Sequence, residues 1–364
     1  MKIKNSLLCA LCLSLVFGVV SCRKGKKSYD EIGESGLTTR TENLQANLLA
    51  YENQGVLIGQ LYGTTEGIGW QGDSARSDFK EVCDDMPACI GFELGGVESN
   101  KKMNADSVDF NLIRRSILDF FHRQGLVVMT WTAPNPGSGA LEDGSKANTT
   151  LRSWVKNVAR YLSSLQNGYG IKVPVVLALY PAGANRWYDH MSAADYKKLY
   201  TQTVVWLKED TVTNALFAFS NSELVQKPEE FVTRCPEENI DVVQLAYITN
   251  NYEGYTDNLQ RMCGMLSAWC SQQMKAFGIV TGVKGLGNDD NFWSTNILPV
   301  VQNCRASYLM LGRNHGDFEQ GNFYGVYPGN GSAPDFVKLC NTPRALFMSK
   351  VNGLLLNHKE KDKK

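Results

Sequence analysis

From residue 56 onward, short and nearly unbroken apolar runs alternate with longer stretches whose apolar positions recur every three or four residues. The short runs, at 56–62, 88–94, 126–133, 173–180, 215–221, 242–249, 276–281 and 306–313, read as β-strands. Strands with no polar face belong to parallel sheets covered on both sides. The amphipathic stretches at 107–123, 151–165, 193–209, 257–273 and 291–304 read as the helices between them. Eight such strands predict an α/β fold, the (β/α)8 TIM barrel. The first connection, 63–85, is polar and glycine-bearing and reads mostly as loop. Function in such a barrel gathers at the C-terminal ends of the strands.

The ends of the chain carry a different pattern. Lys2 and Lys4 precede an apolar segment at 7–20, too short for a typical membrane-spanning helix and suited to a secretion signal. It closes on Val19-Val20-Ser21-Cys22, which looks like a bacterial lipoprotein processing site with Cys22 as the lipidated first residue. Residues 1–21 are therefore expected as signal peptide, 22–50 as a polar tether, 51–355 as the barrel and 356–364 as a charged tail. No Asp follows Cys22, which favours an outer-membrane lipoprotein over one retained at the inner membrane. The expected partners are thus a membrane, through the lipid, and a ligand of the barrel rim.

Charge narrows the ligand. The chain holds 37 basic and 37 acidic side chains, and removal of the signal takes away only Lys2 and Lys4. No folded segment interleaves basic and aromatic residues densely, which argues against nucleic acid. His122, His190, His315 and His358 lack metal-ligand spacing, so neither metal nor cofactor is expected. Beyond Cys22 lie Cys83, Cys89, Cys235, Cys263, Cys270, Cys304 and Cys340; in an oxidising compartment Cys83 and Cys89 are near enough in sequence for a small disulfide.

At the strand ends the chain resembles glycoside hydrolase family 26, best known for β-mannanases. The resemblance is carried by Gly59-Gln60-Leu61-Tyr62, Ser77-Asp78, Gly91-Phe92-Glu93-Leu94, the run from Trp131 through Asn135-Pro136 to Gly139, Gly312-Arg313-Asn314 and Phe323-Tyr324-Gly325. It spans about residues 50–355 in order and spacing. It implies a retaining glycosidase barrel, in which two glutamates about 5 Å apart act as acid/base and nucleophile. The positions matching those glutamates read Ala182 and Gly282. Thr132 stands where the family has His, Ala178 where it has Arg, and Gly312 where it has Trp. Neither alanine nor glycine transfers a proton or attacks an anomeric carbon.

The resemblance then implies binding without turnover, of a β-linked polysaccharide or oligosaccharide, mannan among them. Trp70, Trp131, Asn135, Trp187, Tyr188, Tyr247 and Arg313 are the candidate glycan contacts, because rings stack on sugar faces and polar groups take their hydroxyls. Three have a plainer reading: Trp70 as a loop anchor, Trp131 as core, Arg313 as partner of a buried carboxylate. Two alternatives stay open. One is an endo-acting β-glycosidase with relocated carboxylates, drawn from Glu93, Asp189 and Asp289, with Glu223 and Asp290 as further rim acids. The other is a scaffold that displays loops to an envelope protein partner.

Overall fold

The computed structural model describes residues 31–73, 75–319 and 322–357. The signal segment, the proposed lipidation residue Cys22 and the charged end of the chain lie outside the described residues. Eight parallel strands form the wall: β1 (Val56–Leu61), β2 (Cys89–Glu93), β3 (Leu126–Trp131), β4 (Val175–Leu179), β5 (Ala215–Asn221), β6 (Val242–Thr249), β7 (Ala276–Val283) and β8 (Tyr308–Leu311). Each pairs with the next, and β8 returns to β1 with Leu57 opposite Tyr308, which closes the barrel. Their side chains are almost entirely buried, as expected for strands with helices outside and a packed interior.

The helices are α1 (Thr39–Tyr51), α2 (Asp78–Cys83), α3 (Phe110–His122), α4 (Lys146–Ser164), α5 (Ala193–Glu209), α6 (Pro228–Val232), α7 (Tyr255–Gln273), α8 (Leu298–Asn303) and α9 (Ala333–Cys340). The helix expected over 291–304 begins instead as a π turn, Trp293–Ile297, and becomes α8 at Leu298. Pro299 lacks the amide that would continue a regular helix, and the buried Asn296 side chain donates to the Phe292 carbonyl at 3.0 Å.

The tether assignment needs correction at its C-terminal part. Residues 39–50 belong to α1, whose Leu44, Leu48 and Tyr51 are buried against the starts of the strands. Asn47 ties this helix to the last described turn by donating to the Leu354 carbonyl at 2.7 Å. Next to α1, the buried Glu52 accepts from the Phe277 amide at 3.1 Å and the Ser307 hydroxyl at 3.0 Å, locking the foot of β7 and β8. The opposite mouth of the barrel is left to the loops, and the candidate residues collect there.

Candidate functional site

The first support of the rim comes from the loop after β1, which is more ordered than its polar sequence suggests. It carries a tight antiparallel pair, Glu66–Gly67 with Trp70–Gln71. The Trp70 indole is nearly buried and donates to Asp78 at 2.7 Å, while the same carboxylate accepts from the Ile68 amide at 3.2 Å and from Asn314 at 2.8 Å. Asn314 in turn receives the amides of Tyr324 at 3.0 Å and Gly325 at 2.9 Å. Trp70, Asp78 and Asn314 thus form one buried relay that fixes the loop following β8. Trp70 serves as an anchor here, and its ring offers little surface to a ligand.

The loop fixed by that relay lays Tyr324 over two glycines. A Cβ added at Gly312 would lie 2.7 Å from the Tyr324 Cβ, and one added at Gly282 would lie 3.1 Å from it. Both distances are shorter than ordinary carbon contact. The Tyr324 ring is therefore seated in volume that larger side chains at 282 and 312 would claim, and its hydroxyl reaches Asn250 at 3.3 Å. Across the mouth, Ala182 is buried and pairs with Asn221, its amide donating to the Ser220 carbonyl at 2.9 Å.

The three acids proposed as relocated catalysts, Glu93, Asp189 and Asp289, are all engaged. Glu93 accepts from the Thr132 amide at 3.0 Å, the Thr132 hydroxyl at 2.8 Å and the Gly95 amide at 2.7 Å. Asp189 binds the loop after β4 from within, accepting from the amides of Gly183 at 3.1 Å, Ala184 at 3.1 Å and Arg186 at 2.8 Å. Asp289 accepts from the Tyr252 hydroxyl at 2.7 Å and the Asn291 amide at 2.8 Å. Asp290 sits against Gly331, and Glu223 is exposed.

Burial raises the Glu93 carboxyl above its ordinary value of 4.5, although its three hydrogen bonds pull the other way. An acid raised on folding holds its proton more tightly in the folded chain. Its contribution to stability is whole below the unfolded value and is lost as pH rises through the folded one. Glu93→Gln removes that dependence. The melting temperature of the wild type relative to the variant should therefore fall as pH rises above the ordinary carboxyl value of 4.5. Thermal melts of both proteins check this, and parallel curves would sink it.

Of the aromatic candidates, Trp131 and Tyr188 are completely buried. Trp131 donates to Glu98 at 3.3 Å and packs on Tyr180 at 5.6 Å, so its ring is part of the barrel body. Tyr188 packs between Tyr180 and Trp187, with centroids 5.4 Å away in each case. Trp187 is half-buried, its indole donating to the Ala133 carbonyl at 2.9 Å. Tyr247 is also half-buried and stacks on Tyr255 at 5.3 Å. Asn135 is exposed, and its side-chain oxygen turns back to the Gly137 amide at 2.9 Å. Arg313 pairs with the buried Glu66, donates to the Asp106 carbonyl at 3.0 Å and covers the Tyr62 ring at 4.8 Å. The rim thus keeps Trp187, Tyr247 and Tyr324 as partly accessible rings. Sequence reasoning missed Tyr324, Asn314 and Asp78 as site residues, although all three fall inside motifs that carry the family resemblance.

No family model matches the chain. Among solved structures, a GH26 β-mannanase from Bacteroides ovatus, BoMan26A, superposes with a TM-score of 0.83 at 30% identity, covering 88% of this chain and 98% of that one. The chain belongs to glycoside hydrolase family 26. GH26C from Muricauda sp. MAR_2010_75 (TM-score 0.78, 19% identity, 88% and 94% of the two chains) shares the fold. So does the catalytic domain of the Bacillus sp. JAMB-750 GH26 endo-β-1,4-mannanase (TM-score 0.76, 20% identity, 88% and 95%). Among the described residues of this family 26 chain, no group of three or more His, Cys, Asp or Glu is placed to hold a metal ion. No described helix is long and apolar enough to cross a membrane.

Proposed function

We propose that this family 26 barrel captures a β-linked glycan at its C-terminal rim without hydrolysing it. The observation that supports the reading is the seating of Tyr324 on Gly282 and Gly312. By its resemblance to the family, Gly282 stands at the nucleophile position and Ala182 at the acid/base position. Retaining hydrolysis needs two carboxyl groups flanking one bond, one protonated and one not. Here the former nucleophile position has no side chain, and the ring of Tyr324 fills the space above it. The former acid/base position is a buried methyl group.

Binding needs less than catalysis does. Partly exposed rings can stack on sugar faces, and rim backbone and amide groups can take hydroxyls. Trp187, Tyr247 and Tyr324 keep such surface. The Bacteroides ovatus and Bacillus proteins are described as a β-mannanase and an endo-β-1,4-mannanase, which makes β-mannan the first ligand to try. A lipid on Cys22 would place the rim at the cell envelope, most simply at the outer membrane, where polymer meets the cell.

The test is calorimetric binding of the purified protein to β-mannan, β-glucan and xylan, with analysis of products after prolonged incubation. Saturable binding with no shortened chains is expected. Released oligosaccharides that disappear in Asp189→Asn or Asp289→Asn would instead place catalysis on relocated carboxylates. An absence of binding to every glycan, with specific recovery of an envelope protein, would favour the scaffold reading.

A further inference from the structure

Helices α2 and α9 lie against each other with Phe79 and Phe336 in contact, ring centroids 4.8 Å apart. Cys83 follows Phe79 by four residues and Cys340 follows Phe336 by four. Residues four apart share a helix face, so the same packing that joins the rings brings the cysteines together one turn further along. The C-terminal ends of both helices meet the same segment, the Ser349 amide donating to Asp85 at 3.0 Å and Lys350 to the Cys340 carbonyl at 2.9 Å, and both thiols are free and only partly buried. The other five described cysteines are buried. Cys89, expected as the partner of Cys83, lies in β2 with its sulfur 3.4 Å from the Leu57 carbonyl inside the barrel wall.

We propose that Cys83 and Cys340 form a disulfide when the chain meets a disulfide-donating oxidant, stapling the first β–α connection to the last helix. The Cys83 thiolate attacks the oxidant's disulfide and expels one thiolate, which takes up a proton. Cys340 then gives up its proton, attacks the Cys83 sulfur of the mixed disulfide and releases the second thiol. The protein pair loses two electrons and two protons, and the oxidant's disulfide is reduced to two thiols. The hydrogen bond from Cys340 pulls the Cys83 thiol below its ordinary range, while Cys340 is pushed well up, which makes Cys83 the first nucleophile. The staple would close a loop from residue 83 to residue 340, long enough to restrict the unfolded chain strongly. It would also brace α2, whose first residue, Asp78, holds Trp70 and Asn314 beneath the rim.

The full chain is treated with oxidised glutathione, alkylated and digested without reduction for mass spectrometry. A cross-linked peptide joining Cys83 to Cys340 is expected. The melting temperature should rise by about 5–10 °C over the reduced protein, and Cys340→Ser should abolish the rise. The Cys83→Ser/Cys340→Ser variant should melt with the reduced wild type, which separates loss of the bond from loss of the fold. Both thiols still alkylatable after oxidation would overturn the proposal. So would Cys83 found joined to Cys89, or to glutathione alone.

Discussion

Replacing Arg313 by methionine should lower the free energy of unfolding by about 3 kcal/mol, toward the smaller end of the loss expected when one member of a buried ion pair is removed. Glu66 keeps only 6% of its side-chain surface, whereas Arg313 keeps 20%, so the charge left behind is the more buried of the two. Water cannot easily replace the guanidinium at Glu66. The variant would also lose the donor to the Asp106 carbonyl and the cation lying over Tyr62. Arg313→Lys should recover part of the loss, because a lysine ammonium neutralises the acid but lacks the planar fork that serves two acceptors. Glu66→Gln on the Arg313→Met background should recover a larger part, since it removes the orphaned charge. Urea denaturation of these proteins, with Glu66→Gln alone added to complete a double-mutant cycle, measures this. A loss under about 1 kcal/mol for Arg313→Met would mean that the pair behaves as a surface contact.

The barrel was legible because its strands are buried on both faces, which writes them as apolar runs that no amphipathic helix imitates. All eight runs became strands; five lost a residue or two at an end where the chain turns into loops, as at 306–313 against Tyr308–Leu311, two kept their bounds, and 276–281 grew to Ala276–Val283. Helix α1 was masked by its composition. Thr, Glu, Gln and Asn surround Leu44, Leu48 and Tyr51, and the spacing of those three was the available sign that a face was meant for burial. The rim was legible only in part. Trp131, Tyr188 and Trp187 are all aromatic residues at or after strand ends, and nothing local distinguishes the two that are buried from the one with accessible surface. Register and loop path decide that. The contact of Tyr324 with Gly282 and Gly312 joins distant segments, and the relay from Trp70 to Asn314 that enforces it spans the chain. The cysteines carry the same lesson: nearness in sequence suggested Cys83 with Cys89, whereas Cys89 lies in the barrel wall and the packing of Phe79 on Phe336 brings the helix of Cys83 to the helix of Cys340.

Trp187→Ala should weaken glycan binding by tenfold to about a hundredfold, equivalent to roughly 1.4–2.8 kcal/mol, with little change in the binding of a control protein to the same polymer. Trp187 combines an accessible ring with a fixed pose. Its indole is held by the Ala133 carbonyl at 2.9 Å, and edge-to-face contacts with Tyr180 at 6.4 Å and Tyr188 at 5.4 Å hold the ring plane. A ring held this way has little freedom left to lose when a sugar stacks on it. The same contacts mean that alanine at 187 also loosens the loop after β4, so affinity must be read beside stability. Trp187→Phe keeps a stacking face but gives up the hydrogen bond to Ala133, and should lose less affinity than alanine does. Tyr188→Phe provides the second control. The Tyr188 ring is completely buried and its hydroxyl has no hydrogen-bond partner, so removing that oxygen should leave binding unchanged. Titrations of the three variants against the preferred glycan, each with a thermal melt, distinguish a ligand-facing ring from a structural one. Equal affinity for wild type and a folded Trp187→Ala would remove Trp187 from the site and shift attention to Tyr247 and Tyr324 on the other side of the mouth.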